Sequence, residues 1–152
     1  MNFKNILEES DPDSWVECLE DYQRKVIYDL GLEKESPQTT AKKWLSASIG
    51  NNANFGTQKS SELFFENVKE EVVKFLCSDN HYEKEKSKLA SMENVTQMYV
   101  VAVISNAISP IVGTANTFLS PVIALILMSF GKISLNSFCK SHYDEASLEE
   151  NL

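Results

Sequence analysis

From Asn94 to Gly131 the chain runs for thirty-eight residues without an Asp, Glu, Lys or Arg, although 24% of its residues are charged. Such a run has to be shielded from water, because removing apolar surface from water is the dominant favourable contribution to folding and association. Three shields are available: the chain's own core, a partner subunit or a bilayer. Which of them applies is the functional question that the sequence poses most sharply.

The charge is segregated around this run. Residues 1–93 carry 12 basic and 18 acidic groups and residues 132–152 carry 2 and 4, so the two flanks hold the whole net charge of −8. An acidic chain lacks the basic face that phosphate neutralisation requires, and Lys42, Lys43 and Lys59 do not build one, which argues against nucleic acid as a partner. At 152 residues the chain is one domain, long enough to bury roughly 70% of the surface exposed when unfolded. Residues 1–10 and 144–152 are expected to fray as tails.

The apolar periodicity is helical and no strand pattern stands out, so the expected fold is all-α, about five helices in a bundle around a central apolar hairpin. The first helix is expected from a Ser14–Glu17 capping box, with Trp15, Leu19, Tyr22, Val26 and Leu30 on one face and Gly31 as its stop. Ser36-Pro37 starts a second, proline being tolerated at the first helical position. Ala41, Trp44, Leu45 and Ser48 form its inner face. Gly50 to Gln58 is a loop by composition, with Phe55 turned back onto the body. A third helix spans Ser61 to Cys77 with Phe65, Val68, Val72 and Leu76 inward. A fourth runs from an Asn80 and Glu83 start through Ile108, about 42 Å if continuous, until Pro110 ends it near Ser109. After a connector over 110–120, Ser120-Pro121 starts a fifth that reaches Cys139, with Gly131 as a weak point.

The last two of these helices make the hairpin, and Tyr99, Ala102, Val103, Asn106, Ile123, Ala124, Leu127 and Phe130 are the candidate interface residues on it. Small side chains such as Ala102 and Ala124 allow close backbone approach, and Asn106 can hydrogen-bond across a seam. A membrane span needs about 20 predominantly apolar residues. The longest runs without a polar interruption are Met98–Ile104 and Val122–Met128, seven residues each, so spanning is the less favoured shield.

Sites of chemistry are sparse. His81 and His142 are far apart and lack partners at metal-ligand spacing, and no CxxC or HExxH occurs. The pairs Glu8-Glu9 and Glu70-Glu71 read as solvated helix faces. Neither a phosphate loop nor a GxSxG elbow is present. No catalytic, metal or cofactor residue is therefore expected. Cys18, Cys77 and Cys139 adjoin apolar residues and read as small buried hydrophobes. With no secretory-type apolar core in Met1–Leu7, they suggest a reducing, cytoplasmic setting. Trp15 and Trp44 read as core.

The strings Ala41-Lys42-Lys43-Trp44-Leu45, Asn54-Phe55-Gly56, Leu76-Cys77-Ser78-Asp79 with Tyr82, and Pro121 to Leu127 resemble those of a group of small uncharacterised bacterial proteins. The resemblance spans about residues 40–140 and implies a bacterial, cytosolic setting and no activity.

Together these features lead to the expectation of a non-enzymatic interaction protein without cofactors, pairing as a homodimer or docking on a protein partner through the hairpin 94–131. The competing expectation is a membrane-associated protein that inserts the same hairpin. A third is a small-molecule sensor with a pocket between the hairpin helices.

Overall fold

The computed structural model describes residues 1–50, 57–130 and 134–150, and among these every regular element is a helix. Nine are found: α1 Phe3–Glu9, α2 Ser14–Glu17, α3 Asp21–Asp29, α4 Pro37–Gly50, α5 Thr57–Cys77, α6 Glu83–Ser91, α7 Gln97–Val112, α8 Asn116–Phe130 and α9 Leu135–Glu150. The all-α expectation therefore holds, but with nine helices and not five. The expected Phe55 plug and the weak point at Gly131 lie outside the described residues, as does the side chain of Ser48.

The centre of the molecule is α8. Leu119, every residue from Pro121 to Leu127, and Phe130 are buried, and α2, α4, α5 and α7 pack around it. A helix apolar on all sides has to be an inner helix, and each fully buried Val, Leu, Ile or Phe contributes about 1.5–3 kcal/mol. Around this centre, α5 also contacts α4, α7 and α9, while α6 packs on α1 and α7.

Three of the expected long helices are broken: the fifth does not run through to Cys139, since α8 ends at Phe130 and α9 starts at Leu135, and the other two are interrupted for local reasons. At the first break Glu20 is extended, and its N–H donates to Gln23 Oε1 at 3.2 Å, capping α3 afresh. Ser14 does not form the expected capping box. Its hydroxyl donates to the Asp11 carbonyl and accepts from Gln97 Nε2, both at 2.5 Å. The interruption shifts the inward face by one position: Gln23 and Ile27 are buried, whereas Tyr22 and Val26, expected inside, are exposed. At the second break Thr96 Oγ1 accepts the Tyr99 N–H at 3.1 Å and starts α7. Next to it the Val95 N–H is taken by the Met1 carbonyl at 3.0 Å. Short polar side chains that bond nearby backbone offer an alternative to continued helix, and Thr96 does so here. Nor does Asn80 cap the helix before this break. Tyr82 occupies the N-cap of α6 with φ 57°, a left-handed conformation uncommon for a bulky residue.

Both prolines of the apolar run sit inside helices, correcting the expected stop at Pro110 and start at Pro121. Pro121 has no N–H for the Thr117 carbonyl four residues earlier. That carbonyl instead accepts from Gln23 Nε2 at 3.0 Å, and the next one, of Phe118, accepts from Trp44 Nε1 at 3.0 Å. The α3 side chain thus supplies what proline withholds, the α4 side chain adds a second donor at the head of the helix, and α8 begins at Asn116. Pro110 lies on the exposed side of α7, where water can take the place of the missing donor. The connector shrinks to Gly113–Ala115. Gly113, at φ 76°, caps α7 with its N–H on the Ser109 carbonyl at 2.9 Å, and the chain bends by 116° into α8.

The ends of the chain are more ordered than expected. α1 buries Ile6 and Leu7, and α9 is helical through Glu150. Cys77, the last residue of α5, and Cys139 of α9 form a disulfide across 62 positions, so these two are not the free buried thiols expected. Cys18 is free and half-buried.

Candidate interaction surface

The candidate interface residues divide between two environments. Ile123, Ala124, Leu127 and Phe130 are inside the chain's own core, in α8. No partner can reach them while the fold stays closed, because α8 is covered from four directions. Tyr99, Ala102, Val103 and Asn106 are all on α7, and all lie on its outer side: Ala102 and Asn106 are exposed, Tyr99 and Val103 half-buried. The opposite face of α7, with Val100, Val101, Ile104, Ser105 and Ile108, is buried.

This outer side is long, uncharged and continuous. With Pro110 it forms a stripe at spacings of three and four residues, the spacing of side chains that share one helix face. Met98 borders it at 64% exposure, and Ile111 emerges near the α7 terminus at 62%. Sequence reasoning missed Met98 and Ile111. The signal was present in their position within the uncharged run, but their exposure follows from how α7 is rotated, which its neighbours set. The Asn106 Oδ1 accepts from Asn116 Nδ2 across the α7–α8 elbow, which orients the Asn106 amide.

A cleft of about 150 Å³ adjoins the stripe, where Met98, Val101 and Ala102 face Cys18, Gln23 and Ser120. It touches both α7 and α8, the place where a sensor pocket was expected, yet small-molecule sites have about 300–1,000 Å³. Cys18 in its wall donates to the Trp15 carbonyl at 3.0 Å. Burial pushes its thiol up to about 11, against a smaller lowering effect of a backbone hydrogen bond. A second cleft, of about 200 Å³, lies between Phe64, Asn67, Glu70 and Glu71 of α5 and Ile111 and Val112 of α7.

The remaining polar side chains that could suggest chemistry have structural partners. Ser78 Oγ and His81 Nδ1 are 2.7 Å apart, and the same hydroxyl accepts the Asn80 N–H at 3.2 Å, closing the turn after α5. His142 Nδ1 meets the Phe138 carbonyl at 2.9 Å, with its ring 4.2 Å from the Phe138 ring. Glu71 accepts from the Tyr82 hydroxyl at 2.6 Å and pairs with Lys74 at 3.0 Å. Burial and the Glu71 carboxylate raise the Tyr82 hydroxyl above its usual range; the Glu71 hydrogen bond raises Lys74. Among the described residues no group of three or more His, Cys, Asp or Glu side chains is arranged to hold a metal ion.

No protein family, curated protein or solved structure matches this chain. The functional reading therefore rests on the surface itself.

Proposed function

We propose that this chain is a non-enzymatic helical protein that acts by self-association, and that two copies meet through the outer face of α7. The observation that carries this reading is that Tyr99, Ala102, Val103, Asn106 and Pro110 line one accessible helix face without a charged residue among them. An accessible strip of this kind marks an association site more often than bare surface. A second copy is the occupant the chemistry favours. Chains of net charge −8 repel one another over most of their surface, and this stripe is where they can approach without opposing carboxylates. A twofold interface must also be self-complementary, a condition an amide can satisfy because Asn106 both donates and accepts. Spacing of three and four residues along the stripe suits two helices crossing at about 20°.

The experiment is sedimentation of the wild-type protein and of Ala102→Glu. A dimer of twice 17.1 kDa in the wild type and a folded monomer in the variant are expected. A wild-type protein that stays monomeric at high micromolar concentration overturns the reading.

The membrane alternative has one observation in its favour: α7 and α8 taken together have the length and composition of a broken span, although no single helix is long and apolar enough to cross a membrane. Insertion would require taking α8 out of the core it organises. Co-flotation of the wild-type protein with lipid vesicles, accompanied by loss of the native near-ultraviolet spectrum, would favour it over self-association.

A further inference from the structure

Helix α9 packs on α1 and α5 through few of its described side chains. Of its side chains between Leu135 and His142, only Phe138 is buried, against Phe130 of α8 at a ring distance of 4.5 Å. Among the described residues one polar contact supports it, from the Leu135 N–H to Glu8 Oε1 at 3.2 Å. A further tie is covalent. Cys139 is bonded to Cys77 at the very end of α5, and both residues are half-buried, not sealed in the core. Disulfides open to solvent are the ones reductants reach, whereas sealed structural ones resist.

We propose that the Cys77–Cys139 bond is a redox-operated latch whose reduction lets α9 leave the body and uncovers Phe130 at the end of α8. A dithiol reductant supplies the chemistry. One of its thiolates attacks a sulfur of the bond to give a mixed disulfide, and its second thiol displaces the protein sulfur. Two electrons and two protons end on Cys77 and Cys139, and the reductant is left as a cyclic disulfide. The core around α8 stays closed, because α2, α4, α5 and α7 pack around it and α9 touches it at Phe130, near its end. The latch is independent of the pairing proposed for α7 and can fail or succeed without it.

Amide hydrogen exchange on the whole chain, with and without dithiothreitol, tests the latch, with alkylation counting the free thiols. Without reductant one thiol, Cys18, should be found when the alkylation is done on the denatured chain. With it three should be found, and the amides of 135–142 should exchange at least about tenfold faster while those of α4 and α8 keep their protection. Cys139→Ser should reproduce the loosened α9 without any reductant. Three results overturn the proposal: a bond that resists dithiothreitol under native conditions, an α9 that keeps its protection once the thiols are free, and a loss of protection spread evenly over the chain. The last would make the disulfide a staple of the whole fold.

Discussion

Gln23 and Thr117, ninety-four positions apart, are joined by a hydrogen bond of 3.0 Å that supplies the donor missing at Pro121. The glutamine is buried, and its amide is used at both ends, since Oε1 accepts the Glu20 N–H. Replacing it by leucine keeps much of the volume but removes the donor of the Thr117 carbonyl and the acceptor of the Glu20 N–H, in bonds that are partly buried. Hydrogen bonds of this kind contribute about 0.5–1.5 kcal/mol each. Gln23→Leu should therefore lower the urea midpoint at unchanged slope, and Trp44→Phe, which deprives the Phe118 carbonyl of its indole donor, should act in the same direction. Full stability in both variants would mean that water serves these carbonyls equally well.

Two alanines of the uncharged run should respond in opposite ways to a carboxylate. Ala124 is enclosed in α8 and Ala102 faces outward on α7. An unpaired carboxylate at position 124 costs several kcal/mol, enough to unfold a marginally stable domain. At position 102 it meets water and should leave the circular dichroism spectrum unchanged while abolishing pairing. If Ala124→Glu instead gives a folded monomer, α8 is not the enclosed centre described above.

The Cys18 thiol should be slow to react. With its value near 11 in place of 9.0, the thiolate fraction at pH 8 is about a hundredfold below that of an unperturbed thiol, since each unit is a factor of ten. Iodoacetamide labelling should be correspondingly slow and should accelerate about tenfold per pH unit up to the region of 11. The folded chain holds this proton more tightly than the unfolded chain does, so the associated stability is present below about pH 9 and is lost as pH rises towards 11. Rapid labelling at pH 8 would show that the helix breaks at 18–20 open readily.

Tyr82 ties α6 back onto α5 through its hydroxyl on Glu71. Tyr82→Phe keeps the ring, which lies 5.4 Å from that of Phe75, and removes the hydroxyl. A loss of about 1 kcal/mol is expected, below the roughly 1.5–3 kcal/mol of a bond to a charged group because the site is partly solvated. An equal loss in Glu71→Gln, with no further loss in the double variant, would establish the pair as one unit.

Much of the inner architecture is legible in the sequence, and what is not has identifiable causes. Ser36 and Pro37 announce α4, and Phe65, Val68, Val72 and Leu76 point inward on α5 as their spacing requires. Trp15 and Trp44 are core residues. The proline rule misplaced the ends of α7 and α8 because it assumes that an orphan carbonyl stays orphaned, whereas Gln23 answers the Thr117 carbonyl from elsewhere in the chain and Pro110 lies on the exposed side of α7. The two helix breaks depend on Glu20 and Thr96 acting as caps, and both look in sequence like ordinary surface residues. Joining Cys77 to Cys139 needs α5 and α9 side by side, which no spacing reveals. For the candidate surface, Tyr99, Ala102, Val103 and Asn106 share a face as their spacing implies. The α8 residues named with them are inside, because an uncharged run does not say which of its two helices the rest of the chain encloses.

The two side-chain donors at the head of α8 have a bearing on biosynthesis. A ribosome releases Gln23 and Trp44 well before Thr117 and Phe118, so the early segments can be in place when the most apolar helix emerges, in keeping with the N-to-C order in which nascent chains fold. Gln23→Leu should therefore raise the fraction of newly made protein that precipitates, even at temperatures where the finished variant is stable.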